Sequence, residues 1–228
     1  LFEGRINLNS KVYHQLQTAG RKSTIINAEV SELGDYHIYS MGTNMNLVSK
    51  ETLVTRLYTP RQINFEKTYL FENNEKSQKE EPLSIEYKIP NTIENNLDLP
   101  LPKGKIQLYQ VLNSGNIEYI GQDKISQVPR SNTATISSGK AFDVIGKRKV
   151  LNYDKQRKSE EASISITVTN TLSRGVNIKL IEHIYGDWVV RNASSNYRKI
   201  DASTIHFPLS IPQESSKTVT YTYRKEWK

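Results

Sequence analysis

Proton transfer and metal ligation favour histidine, and the chain has four, His14, His37, His183 and His206. None has a second His, or an Asp or Glu, at a metal-motif spacing such as HExxH. His206 alternates with Ile205 and Phe207, which places it on the strand face opposite the apolar one. A zinc site would need distant residues to converge. Carboxylates are the second resource, since glycoside hydrolysis uses two. Asp123, Asp143, Asp187 and Asp201 stand beside turn residues, where an Asp accepts backbone N–H bonds and stabilises a tight bend. Asp143, flanked by Phe142 and Val144, could instead be partly buried against a basic partner. Gly186-Asp187-Trp188 reads as a turn entering a strand whose Trp188 plugs a small apolar interior. There is no G-x-S-x-G elbow, no GxGxxG and no GxxxxGK[ST], which argues against serine hydrolase, dinucleotide and ATP chemistry. Cysteine is absent, so disulfides, thiolate metal sites and thiol nucleophiles are excluded.

The sharpest charge feature is basic. Lys147, Arg148 and Lys149, followed by Lys155, Arg157 and Lys158, place six positive charges in twelve residues of a chain with net charge +7. Nucleic-acid binding would interleave such a patch with stacking aromatics or mount it on a groove-entering helix. Only Tyr153 lies nearby, and alternation along a strand sends neighbouring charges to opposite faces. The expectation is therefore a solvated surface that protects a strand edge, with attraction to an anionic polymer or membrane surface as a weaker version.

The elements that must position these groups are strands. Ser163-Ile164-Ser165-Ile166-Thr167-Val168-Thr169 and Thr218-Val219-Thr220-Tyr221-Thr222-Tyr223 alternate strictly, as do Ile205, Phe207, Leu209 and Ile211. A period of two makes sheets with one face buried and one wet, normally antiparallel. Asn113-Ser114-Gly115-Asn116 and Ser173-Arg174-Gly175 read as hairpin turns. Pro208, inside a strand pattern, predicts an edge or a bulge there. Leu47 to Leu57 is assigned to strand on its β-branched content. No 18-residue apolar run exists. Glu72 to Glu81 has no apolar residue and should form an exposed, mobile hairpin tip or loop, and Asn152 to Glu161 is the better domain boundary. The reading is an all-β antiparallel β-sandwich in two domains. Residues 1–154 form a larger β domain with an exposed loop at 72–81, and residues 155–228 form a small immunoglobulin-like sandwich.

From about Leu83 onward the chain resembles a known family. The likeness is carried by Asn91, Leu99-Pro100-Leu101-Pro102-Lys103-Gly104-Lys105, Tyr109, Ile120-Gly121-Gln122-Asp123 and Gly139-Lys140-Ala141-Phe142-Asp143-Val144. It continues through Asn170, Gly186-Asp187-Trp188 and Tyr197-Arg198-Lys199-Ile200-Asp201-Ala202 to Tyr221 and Trp227. In these residues it resembles the C-terminal domain of unknown function of bacterial proteins related to mucoidy inhibitor A. Residues 1–82 match only loosely. The resemblance implies an all-β, bacterial and often exported protein, with no established reaction and no catalytic residues to carry over. The coiled coil that many relatives carry is missing, which suggests a fragment or a shorter architecture, and the absent initiator Met suggests a removed leader or a start inside a longer protein. Asn192-Ala193-Ser194 is read as a chance acceptor triplet.

The functional expectation is a non-catalytic binding or scaffolding module of the cell envelope with a protein partner, periplasmic or extracellular rather than cytoplasmic, with no cofactor. The alternative is a carbohydrate-binding or glycan-processing protein using surface aromatics. Nucleic-acid binding through residues 147–158 ranks third, and no transmembrane segment is expected.

Overall fold

In the computed structural model, residues 57–227 are described throughout, preceded by five strand segments at 3–5, 23–24, 28–33, 36–41 and 54–55. His14 and most of the 47–57 stretch lie outside the described residues, though Val54–Thr55 of that stretch is a strand. The short early strands are β1 (Glu3–Arg5), β2 (Ser23–Thr24), β3 (Ala28–Leu33), β4 (Tyr36–Met41) and β5 (Val54–Thr55). The body comprises β6 (Asn64–Asn74), β7 (Lys79–Pro90), β8 (Gly104–Val111), β9 (Ile117–Ile125), β10 (Thr133–Lys155) and β11 (Ser159–Asn170). It is completed by β12 (Val176–His183), β13 (Trp188–Ala193), β14 (Arg198–Lys199), β15 (Thr204–Ile211) and β16 (Ser215–Glu226). One 3-10 turn, Ile93–Asn95, is the only helical element among the described residues. The all-β expectation holds.

Ten strands form one sheet in the order β13-β16-β11-β10-β7-β6-β12-β15-β14, with β1 paired to β6. The path is open, since β13 and β14 end it without pairing to each other. The sheet is mixed rather than purely antiparallel. Strands β6 and β12 run parallel, with Tyr69 opposite Ile178 and Phe71 opposite Leu180. This register sets the inward residues of β6 beside the inward residues of β12, so one apolar face continues across the junction.

Alternation explains the interior. In β11 every second residue from Glu160 to Asn170 is buried, and in β12 every second residue from Val176 to Glu182. These side chains join those of β6, β15 and β16 in a single apolar cluster that includes Phe71, Ile164, Leu180, Phe207 and Tyr221. The rings of Phe207 on β15 and Tyr221 on β16 lie 5.4 Å apart although their strands belong to opposite arms of the path. The two arms therefore bury their apolar faces against each other, and the hydrophobic effect acts on both at once.

Three expectations are refined. Ser173-Arg174-Gly175 does not close a hairpin, because β11 pairs with β10 and β16 whereas β12 pairs with β6 and β15. The segment carries the chain from one arm to the other, and local turn chemistry cannot distinguish the two cases. Residues 72–81 do form a hairpin tip, but Asn73 is buried and Glu75 half-buried, since side chains of other strands reach into the tip. The 154/155 boundary falls in the last residues of β10, where Lys155 pairs with Glu160 across a hairpin. Residues from both sides of that point share the apolar cluster. By contrast, Pro208 sits where β15 has a partner only on the β12 side, because β14 covers no more than Ile205 and His206. A missing N–H costs nothing at such an edge.

Candidate functional site

The most concentrated chemistry lies in the interior. Strand β10 turns Val144, Gly146 and Arg148 inward, and β12 turns Leu180 and Glu182 inward. Gly146 leaves room for the Phe71 ring, whose nearest carbons lie 2.7 Å from where a Cβ would stand. Arg148 and Glu182 meet with no side-chain exposure on either. Arg148 Nε donates to Glu182 Oε2 at 2.9 Å, and Nη2 lies 2.8 Å from the same oxygen. The other guanidinium protons reach the β6–β7 hairpin tip, Nη1 donating to the Ser77 carbonyl and Nη2 to the Glu75 carbonyl at 3.0 Å. The Tyr221 hydroxyl donates to Glu182 Oε2. Burial opposes the Arg148 charge, but Glu182 and Tyr221 together more than offset it, so the guanidinium is held above its ordinary value. Burial, reinforced by Glu182, pushes the Tyr221 phenol far up and keeps it protonated.

A second layer surrounds this pair. Lys225 on β16 bonds Glu75 and lies 3.8 Å from Glu160. Tyr153 donates to Glu160 Oε2 at 3.0 Å, Tyr223 to Glu160 Oε1 at 3.4 Å, and the Tyr185 backbone N–H to Glu75 Oε2 at 3.2 Å. Burial, then the charges of Glu75 and Glu160, raise the Tyr223 phenol. Each ionised group here has a partner from another element, but Glu182 is engaged through Oε2 alone and its buried Oε1 has no partner. The network fastens β10, β12 and β16 to the hairpin tip.

Arg148 thus departs from the expected basic surface. Strand phase puts it on the inner face, and the signal was available, since Val144, Gly146 and Arg148 share the parity of the buried residues. Glu182 was missed for the same reason, standing two positions after Leu180 in a buried row. Lys147 is bonded to Glu80 of β7, while Lys149, Lys155, Arg157 and Lys158 are exposed. Trp227 closes on this hairpin, its backbone N–H donating to the Lys158 carbonyl and its indole N–H to the Arg157 carbonyl, both at 3.1 Å.

Of the motif carboxylates only Asp187 and Asp201 stand in turns; Asp123 lies within β9 and Asp143 within β10, contrary to the turn role expected of them. Asp143 accepts from the Thr171 hydroxyl at 3.3 Å, not from a basic partner. Asp123 accepts backbone N–H bonds from Lys124 and Ser137, each at 2.7 Å. Asp201 accepts from the Ser203 backbone at 2.7 Å, and this bond is the first cause of its lowered pKa. Asp187 is exposed in the turn before β13. Trp188 is buried, its indole donating to the Ala202 carbonyl at 2.8 Å, with the Lys199 ammonium 4.1 Å from the ring centre. The Trp188–Ala202 bond ties the Gly186-Asp187-Trp188 turn to the Asp201 segment, while Asp123 and Asp143 bond to Ser137 and Thr171.

His206 lies on the outer face between two buried neighbours, as its alternation requires, with its pKa lowered by burial and then by Lys179, Arg198 and Lys88. His183 makes a line that spacing could not reveal. Its Nε2 lies 2.7 Å from Glu72 Oε1 and its Nδ1 3.3 Å from Thr204 Oγ1, joining β6, β12 and β15. Thr204 is only 8% exposed, while the His183 and Glu72 side chains reach solvent. Among the described residues no three His, Asp or Glu gather as a metal set.

Three two-stranded sheets stand apart from the large one among the described residues, β2–β5, β3–β4 and β8–β9. Strands β8 and β9 pair only with each other and form a two-stranded ribbon. Val111, Leu112, Tyr119 and Ile120 are exposed on it. A bulge between Leu108 and Tyr109 leaves Ile120 as the extra residue, and Tyr109 meets Tyr119 edge to face at 5.6 Å. The ribbon is anchored where Gly121 (φ 152°) approaches Ser138, whose carbonyl oxygen lies 2.9 Å from a Cβ added there, and by the Asp123–Ser137 bond. No helix among the described residues is long and apolar enough to cross a membrane. Compared with protein-family models, with curated proteins and with solved structures, the chain matches none.

Proposed function

We propose that this chain is a non-catalytic binding module that engages a protein partner through the β8–β9 ribbon. The ribbon is the observation that carries the reading. Isolated two-stranded hairpins are marginal in water, yet this one projects apolar side chains to solvent, an arrangement that gains free energy when a partner covers it. Strand addition at the sheet ends is the weaker route. Strand β13 has a bulge between Val190 and Asn192, and Pro208 interrupts the free side of β15; both features discourage pairing with another chain.

The finer architecture belongs to the same proposal. The contact between the arms through Phe207 and Tyr221 supports a sandwich, immunoglobulin-like over its C-terminal strands. Membership of the mucoidy inhibitor A-like group, and with it a bacterial envelope location, rests on the motif residues from Asn91 to Trp227.

A photo-reactive side chain placed at Val111 or at Tyr119 tests the functional reading in cells. The expected result is one cross-linked protein shared by both positions, lost when Leu112→Glu and Ile120→Glu are introduced, and not formed from Lys217. Equal cross-linking from Lys217, or none from the ribbon, overturns it.

A further inference from the structure

The geometry points to a binding site for a buried water between Asn73 of β6 and Glu182 of β12, independent of the ribbon. Among the described residues five buried side-chain atoms have no hydrogen-bond partner in the protein, and three of them belong to these two residues. They are Asn73 Oδ1, Asn73 Nδ2 and Glu182 Oε1. The parallel register sets Glu182 directly opposite Asn73. Both side chains turn to the inner face, where Asn73 is 2% exposed and Glu182 wholly buried. Neighbouring strands lie about 4.8 Å apart, so the two polar groups leave the sheet side by side.

The Glu182 carboxylate is used unevenly. Arg148 Nε, Arg148 Nη2 and the Tyr221 hydroxyl all converge on Oε2. Oε1 keeps its lone pairs, and Asn73 places an acceptor and a two-proton donor next to it. Native interiors rarely leave such groups bare. The ligand must donate to an oxygen and accept from an N–H, and water is the smallest molecule that does both. One water accepting from Asn73 Nδ2 and donating to Glu182 Oε1 satisfies two of the three atoms. The third, Oδ1, is a carbonyl, and a carbonyl tolerates a missing partner better than an N–H does.

Charge argues against an ion. The Arg148 guanidinium already neutralises Glu182, so a metal cation here would add charge to a balanced, desolvated pair. A cation also accepts nothing from Nδ2. Beside this rung the Glu75 N–H donates to the His183 carbonyl at 2.9 Å, and Arg148 bonds the Glu75 and Ser77 carbonyls. These bonds pin the hairpin tip next to the site, so exchange of the water with solvent should be slow. The water links the inner face of β6 to the Arg148–Glu182 pair.

Rotating-frame water NMR on the isotope-labelled protein, read at the Asn73 side-chain NH2, tests the assignment. The expected result is a water cross-peak of the sign that excludes proton exchange, identical in potassium chloride and choline chloride at equal ionic strength. Asn73→Leu should abolish it, with the fold checked by unshifted amides of β11. Should that variant fail to fold, a crystal structure of the unaltered protein decides, with one water oxygen expected within about 3.2 Å of both Asn73 Nδ2 and Glu182 Oε1. Absence of the cross-peak, or a crystal structure in which Nδ2 donates directly to Oε1, would overturn the site. A cross-peak that changes with potassium would overturn water as the ligand in favour of a cation.

Discussion

Arg148 of β10 and Glu182 of β12 are a fully buried ion pair whose strands are not neighbours in the sheet, the guanidinium spanning the interior between the arms. Neither strand could hold its charged residue inside without the other.

Breaking the pair should therefore cost more than removing it. Glu182→Gln leaves the Arg148 charge buried and should destabilise by about 3–5 kcal/mol, whereas Arg148→Met combined with Glu182→Leu should cost much less or stabilise. Chemical denaturation of both variants checks the order; a double variant weaker than the single would refute it.

Gly146 tests the packing beside that pair. A Cβ there meets the Phe71 ring at 2.7 Å, so Gly146→Ala should lose about 1–3 kcal/mol through overpacking. Phe71→Leu in the same chain should recover part of the loss, as a double-mutant cycle would read.

Alkaline sensitivity follows from the phenols. Tyr221 and Tyr223 have folded pKa values raised by burial, so the folded state keeps protons that the unfolded chain releases near pH 10. Their stabilising effect is complete below that pH and declines as pH rises above it. The denaturation midpoint should fall between about pH 9.5 and 11, and Tyr221→Phe should flatten the fall even if it lowers the starting value.

Asn91 is a buried keystone. Its side-chain amide donates to the carbonyls of Leu99 and Pro129 at 2.7 and 2.8 Å, and its Oδ1 accepts from Leu99 N–H at 3.1 Å. Asn91→Leu takes the partner from the Leu99 N–H and from the part-buried Leu99 and Pro129 carbonyls, a loss of about 1–3 kcal/mol. Hydrogen exchange should quicken first at residues 97–101 and 128–132, with β11 and β16 still protected.

Much of this was legible before any coordinates. Alternation gave β11, β15 and β16 and their inward faces, Asn113–Asn116 gave a true hairpin, and Pro208 marked a strand edge. What periodicity omits is the partner of each strand. Ser173–Gly175 looks like a hairpin turn because a turn and a crossover use the same residues. The meeting of Arg148 with Glu182, or His183 with Glu72, depends on which strands adjoin or face one another, and no local pattern encodes that. The Asn91 and Asn170 motif positions also gain a reason only in three dimensions. Asn170 closes the crossover by donating to the Arg174 and Pro212 carbonyls, each at 2.8 Å.

The parallel pairing of Tyr69 with Ile178 carries a kinetic consequence. A segment read early by the ribosome must wait for one read far later before its second side is covered. Distant contacts of this kind slow folding and prolong exposure of bare strand. The emerging polypeptide thus holds an unsatisfied β6 edge throughout synthesis of the middle strands, the interval in which a chaperone or a neighbouring nascent chain has most opportunity to capture it.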